Sequence, residues 1–108
     1  MLSGGDSAPQ KANETKQKND ISNAQEDVEV TAINEMRNDG TYVIEALENK
    51  YSSNNTRGTA TITVNVTRSG STITGAKVTI DTRDYKLEGN VDVTYGDISW
   101  GNVVSKTQ

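Results

Sequence analysis

The sequence contains no cysteine, no histidine and no phenylalanine, and a single proline in 108 residues. Without thiols or imidazoles there are no disulfides, thiol nucleophiles or histidine bases, and no zinc, haem or copper site built on nitrogen or sulfur ligands. Most enzyme templates are thereby removed. Apolar residues make up 31% of the chain, and no apolar run approaches the roughly 20 residues that a membrane-spanning helix needs. One small domain with a modest core is the expectation. Positive charge is also scarce. Eleven basic against 15 acidic side chains leave a formal charge of −4, which argues against the cationic face that binding to a nucleic-acid backbone requires.

Residues 1–20 have no aromatic side chain, and their only large apolar ones are Met1 and Leu2. Such a stretch cannot offset the entropy of ordering, so it reads as a disordered tether with a mean reach of roughly 25 Å, followed by one β-rich domain over 21–108. The opening residues Leu2, Ser3, Gly4, Gly5, Asp6 and Ser7 resemble the start of a mature bacterial lipoprotein, in which a lipid-modified cysteine precedes a Gly/Ser-rich linker. The resemblance implies that Met1 stands in place of that cysteine and that targeting sequence lies upstream.

Between residues 59 and 104, 20 of 46 positions are Val, Ile or Thr, a composition that favours strands. Ala60, Ile62, Val64 and Val66 alternate with Thr59, Thr61, Thr63, Asn65 and Thr67, the pattern of a strand with one wet face. Arg68-Ser69-Gly70-Ser71 supplies a turn. In the next strand, 72–82, the inward parity shifts from Ile73 to Ala76, Val78 and Ile80 across Gly75, which predicts a β-bulge there. Arg83-Asp84 reverses the chain. Tyr85, Leu87, Val91, Val93 and Tyr95 then alternate with polar residues, and Gly96-Asp97 leads to Ile98, Trp100 and Val104. Connections this short make an antiparallel meander.

The stretch 21–58 is more ambiguous. Ser22 and Gln25 form a capping-box pattern, and Ala24, Val28, Ala32 and Met36 recur every four residues, which favours a helix over 22–37. Val28, Val30 and Ala32 also fit strand spacing. Residues 42–48 read as a strand, with a short helix as the other option, and 52–58 as a polar loop. The expected fold is therefore mainly β, with α+β as the variant: an antiparallel meander of four to five strands and one N-terminal helix.

Candidate chemistry is sparse. Asp81, Asp84, Glu88, Asp92 and Asp97 cluster in the C-terminal half, but Glu88 and Asp92 fall on the polar parity of their strand, where solvent keeps carboxylates ordinary. Neither Asp81-Thr82-Arg83-Asp84 nor Asn38-Asp39-Gly40 fits a calcium-loop pattern. No catalytic, metal or cofactor residues are assigned. Thr59, Thr61, Thr63 and Thr67, with Thr72 and Thr74, are expected to form a hydroxyl-rich outer face. With no Phe, the four Tyr and Trp100 are expected to supply the bulk of the core, Trp100 inside it rather than stacked on a sugar. Asn13, Asn54 and Asn65 head N-x-Thr sequons, which arise readily by chance among 11 Asn and 14 Thr.

Gly70-Ser71-Thr72-Ile73, Val78-Thr79-Ile80-Asp81, Leu87-Glu88-Gly89-Asn90-Val91-Asp92-Val93 and Gly96-Asp97 resemble the strand repeat of the OstA-like β-jellyroll family of lipopolysaccharide transport. That resemblance implies a groove for acyl chains lined by Ile73, Val78, Ile80, Leu87, Val91, Val93 and Ile98, and strand edges open to end-to-end assembly. Three functions follow in order. The first is a non-catalytic binding or assembly module of the bacterial cell envelope. It would be a lipoprotein domain of the periplasm or outer surface, meeting a protein partner or itself through strand edges or a loop containing Asn54, Asn55 and Arg57, and touching membrane only through its lipid anchor. The second is a lipid or lipopolysaccharide carrier using the groove, and the third a carboxylate-based hydrolase.

Overall fold

The structure is a computed structural model that describes residues 4–35 and 39–106, with side chains from residue 12 onward. Two helices, α1 (Gly4–Glu35) and α2 (Gly40–Lys50), precede six strands: β1 (Thr56–Arg57), β2 (Ala60–Ser69), β3 (Thr72–Asp81), β4 (Tyr85–Val91), β5 (Ile98–Trp100) and β6 (Val104–Ser105). The strands form one antiparallel sheet in the order β1-β2-β3-β4-β5, with β6 pairing the start of β4 on the side that β5 uses further along. Both helices lie on one face of the sheet, giving a two-layer α+β fold with the expected meander as its floor.

The meander forms as its patterning dictates. Ile62 pairs with Ile80 and Val64 with Val78, which places the apolar parity of β2 and β3 on one face. The register jumps between Thr67↔Gly75 and Arg68↔Ile73, leaving Thr74 as the extra residue of a bulge beside Gly75. That insertion lets Ile73 as well as Ala76, Val78 and Ile80 point inward, and all four are buried. Gly70 closes the hairpin with φ 65°.

Three readings are corrected. The stretch 42–48 is helical: Asp39 caps α2 by accepting from Thr41 N–H at 2.9 Å, and Val43, Ile44 and Leu47 then bury one helical stripe. Alternation ends β4 at Val91 rather than residue 95, because Asp92 carbonyl accepts from Gly96 N–H at 2.7 Å and Asp92 Oδ1 from Thr94 N–H at 3.2 Å. The third correction concerns the leader. Helix α1 begins at Gly4, so Ser22 and Gln25 lie inside it rather than at its cap, and part of the expected tether is packed: Gln17 is 2% exposed. The 36–37 end of the expected helix, Met36, Asn38 and the lipoprotein-like Leu2 and Ser3 lie outside the described residues.

The core sits between the layers and is aliphatic. Ile21, Ala24, Val28 and Ala32 of α1 and Val43, Ile44 and Leu47 of α2 pack on Ile62, Val78, Ile80, Leu87 and Val91. Of the aromatics only Tyr51 is buried, whereas Tyr42 and Tyr95 are about half exposed, so the bulk expected from rings comes from branched aliphatics. Trp100 is half-buried and lies over Gly89, where a Cβ would meet its ring at 2.7 Å. A Cβ at Gly40 would strike the carbonyl oxygens of Asp92 and Val93, so the start of α2 is pressed onto the β4–β5 turn and bonded there by Gly40 N–H to Thr94 O at 3.0 Å.

Candidate interaction surface

Covering one face of the sheet leaves the other without a helix or strand over it among the described residues. That outer face carries the odd positions of β2 and β3 and the even ones of β4: Thr61, Thr63, Asn65, Lys77, Thr79, Asp81, Lys86, Glu88 and Asn90. They are exposed or half-exposed. Its charges are mixed, with Lys77 and Lys86 flanking Glu88 at 3.9 and 3.8 Å. Ion pairs this exposed contribute little stability. The hydroxyl-rich exterior expected from the threonine parity is therefore present, crossed by one small charged cluster.

The seven residues assigned to a groove are not in an open groove. Ile73, Val78, Ile80, Leu87 and Val91 are buried and Val93 and Ile98 half-buried, all on the face that the helices cover. The loop residues are also differently disposed. Asn54 is exposed and Asn55 half-exposed, but Arg57 turns back into the molecule, donating to Asp27 Oδ2 at 2.9 Å and to the carbonyl of Asn54 at 3.1 Å. It fastens the loop rather than offering a free cation.

Arg57 belongs to a knot joining α1, α2 and β1. Asp27 accepts from the Tyr51 hydroxyl at 2.5 Å and faces Lys50 at 3.6 Å, and Lys50 donates to Thr31 at 2.8 Å. Arg57 and Lys50 also stand over the Tyr51 ring at 5.4 and 5.5 Å. Partial burial works to raise the Asp27 pKa, yet the Tyr51 and Arg57 hydrogen bonds and the nearby cations hold it below its ordinary value. Burial, and then donation to Asp27, push the Tyr51 phenol up to about 12.

A second polar set ties α1 to two turns. Gln17 Oε1 accepts from Thr82 Oγ1 at 2.6 Å and Asp84 N–H at 2.9 Å, while its Nε2 donates to Asp84 Oδ2 at 2.9 Å. Asp20 Oδ2 accepts from Thr59 N–H at 2.8 Å and Thr59 Oγ1 at 2.7 Å, and these two bonds lower its pKa. Neither residue was legible as a contact, because no apolar periodicity marks 12–20. The signal available was the four-residue spacing from Gln17 to Ile21.

Of the five C-terminal carboxylates, Asp84 is held by Gln17, Asp81 faces Lys106 at 3.2 Å, Glu88 lies between the two lysines, and Asp92 and Asp97 are exposed at the β4–β5 turn. Among the described residues no group of three His, Cys, Asp or Glu side chains is arranged to hold a metal. A cleft of about 440 Å³ lies beside that turn, lined by Glu29, Ala32, Ile33, Gly96, Asp97 and Ile98. Glu29 is fixed there by the Trp100 indole, which donates to it at 2.8 Å. Sequence reading missed this cleft, although Ile33 stands out of phase with the buried Ala24, Val28 and Ala32 and is 66% exposed.

No described helix is long and apolar enough to cross a membrane. Compared with protein-family models, curated proteins and solved structures, the chain matches none.

Proposed function

We propose that this chain is a non-catalytic binding or assembly module that works by presenting its uncovered sheet layer to a protein. It is held at a bacterial envelope by a lipid anchor ahead of Leu2. The observation that carries the reading is the division of the sheet into a face occupied by the chain's own helices and a polar, solvent-facing one. A carrier would need the apolar face free, and that face is filled. A hydrolase would need one carboxylate raised by burial beside a second, and the C-terminal carboxylates are exposed or committed to neighbours.

The test is a photo-reactive residue placed singly at Thr63, Lys77 or Asn90 in producing cells, with Asn23 and Asn49 on the helices as comparison sites. The expected result is a discrete cross-linked protein from the sheet positions and none from the helical ones. Equal labelling from both layers, or none from the sheet, would sink the assembly role. The anchor is tested separately by incorporation of labelled palmitate into the full-length product, and an unlabelled product would remove the envelope tether.

A further inference from the structure

The helices settle mainly on β1 to β4, and the cleft beside β5 lies where that cover runs out. The buried stripe of α1 points at the core, whereas Glu29 and Ile33, four residues apart and so on one line of the helix surface, face β5. Across from them Ile98 and Trp100 share one parity of β5 and are only half-buried. Ile33, at 66% exposed, is the most exposed large hydrophobic side chain among the described residues. The third wall is fixed by the backbone. Gly96 turns with φ 89°, a Cβ there would strike the Val43 side chain, and its N–H donates to Asp92 carbonyl at 2.7 Å. The cleft is therefore formed before anything enters it.

Its charge selects the occupant. Of the lining residues only Glu29 and Asp97 ionise, both are acidic, and neither meets a described cation. The Trp100 indole, donating to Glu29 at 2.8 Å, orients that carboxylate without neutralising it. Asp97 uses its carbonyl to accept from Asp92 N–H at 2.8 Å, but its exposed carboxylate has no hydrogen-bond or ion-pair partner among the described residues. Two carboxylates set among Ala32, Ile33 and Ile98 suit a cation with an apolar stem. Arginine fits better than lysine: its guanidinium is weakly hydrated, forks onto carboxylates and lies flat on apolar surface. A volume of about 440 Å³ is near the lower end for a ligand cleft and accommodates a side chain rather than a large cofactor.

We infer that the cleft between α1 and the β4–β5 turn receives an arginine side chain of a protein partner. The guanidinium meets Glu29 and Asp97, and apolar neighbours of that arginine cover Ile33. Arginines inserted into such pockets carry a large share of the binding energy at protein interfaces. This site goes beyond the outer face of the sheet, since it lies on the helix-bearing side and does not require that face to be occupied.

The test titrates the nitrogen-15-labelled full chain with acetyl-Leu-Arg-Leu-amide and with the same peptide carrying citrulline, the uncharged isostere of arginine. Trp100 is the only tryptophan, so its indole N–H gives a single magnetic-resonance signal at the cleft wall. The arginine peptide is expected to produce saturable shifts in that signal and in the amides of 29–33 and 96–98, and the citrulline peptide to bind at least tenfold more weakly. Asp97→Asn leaves the backbone bond from Asp92 intact, and Glu29→Gln keeps an oxygen for the indole. Each should retain the thermal transition of the parent while weakening the arginine peptide at least fivefold. Overturning outcomes are no saturable shift at millimolar peptide, equal binding of the two peptides, or unchanged affinity in both variants. Agmatine, the same guanidinium stem without a peptide, binding as tightly as the peptide would remove the protein partner. Binding that appears only after Arg37→Gln would make this chain's own arginine the occupant and equally end the proposal. The photo-adducts from the sheet are read separately: their absence removes the outer-face role and leaves this site standing, whereas adducts without peptide shifts do the reverse.

Discussion

Two successive stretches of α1 hold the same sheet by different chemistry. Over 21–32 the helix buries Ile21, Ala24, Val28 and Ala32, an apolar stripe at helical spacing that packs on the strands. Over 12–20 there is no large apolar side chain, yet Gln17 is 2% exposed and Asp20 is bonded twice to Thr59. The contrast shows that an amide with its oxygen and nitrogen both satisfied can be buried where a hydrophobe would be expected. Hydrophobic contact is indifferent to a small slide of the helix, whereas three hydrogen bonds from one amide are not.

The comparison can be broken first at its apolar end. Ile21→Ala removes a fully buried side chain and should cost about 2–5 kcal/mol by urea unfolding. A loss below that range would mean that the helix is not seated on the strands as described. At the polar end, Gln17→Ala strips the acceptor from Thr82 Oγ1 and Asp84 N–H and should cost about 1–3 kcal/mol. A double variant with Thr82→Val should lose less than the sum, since both changes break the same bond. Additive losses would show that the two groups act separately.

Protonation gives a smaller, condition-dependent effect. Asp20 and Asp27 have pKa values below the ordinary 3.8, so each adds stability that is present above that pH and lost as acid protonates the folded form. Asp27→Asn should therefore shrink the difference in urea midpoint between pH 6 and pH 3, and an unchanged difference would remove Asp27 from the acid response. The Tyr51 phenol, raised to about 12, acts in the opposite sense: its contribution is complete below pH 10 and disappears as pH climbs through the folded value. Ultraviolet titration of the four tyrosines should show a late component near pH 12 that is missing in Tyr51→Phe. Four coincident transitions would contradict the bond to Asp27.

The strands were legible because Val and Thr alternate with period two from residue 60, and the bulge because parity slips at Gly75. Alternation alone does not say where pairing stops. Asp92 ends β4 by turning its carbonyl and carboxylate toward the turn, a local competition that composition does not reveal. The helix at 40–50 was hidden because Tyr42, Val43 and Ile44 suit a strand as well. What decides it is the Asp39 cap and the absence of a Cβ at Gly40, which lets the helix start against a backbone turn. Of the candidate surface, the wet threonine face followed from parity. The tie from Arg57 to Asp27 spans 30 residues and could not be read locally.

The contacts of Gln17 and Asp20 have one consequence for how a repetitive sequence finds a single pairing. Runs such as Thr61-Ile62-Thr63-Val64 look alike when shifted by two positions, so grease alone cannot choose among alignments. One helical turn grips two separate chain reversals, at Thr59 and at Thr82–Asp84, and so works as a caliper. Misaligned ribbons would fail to fit its jaws.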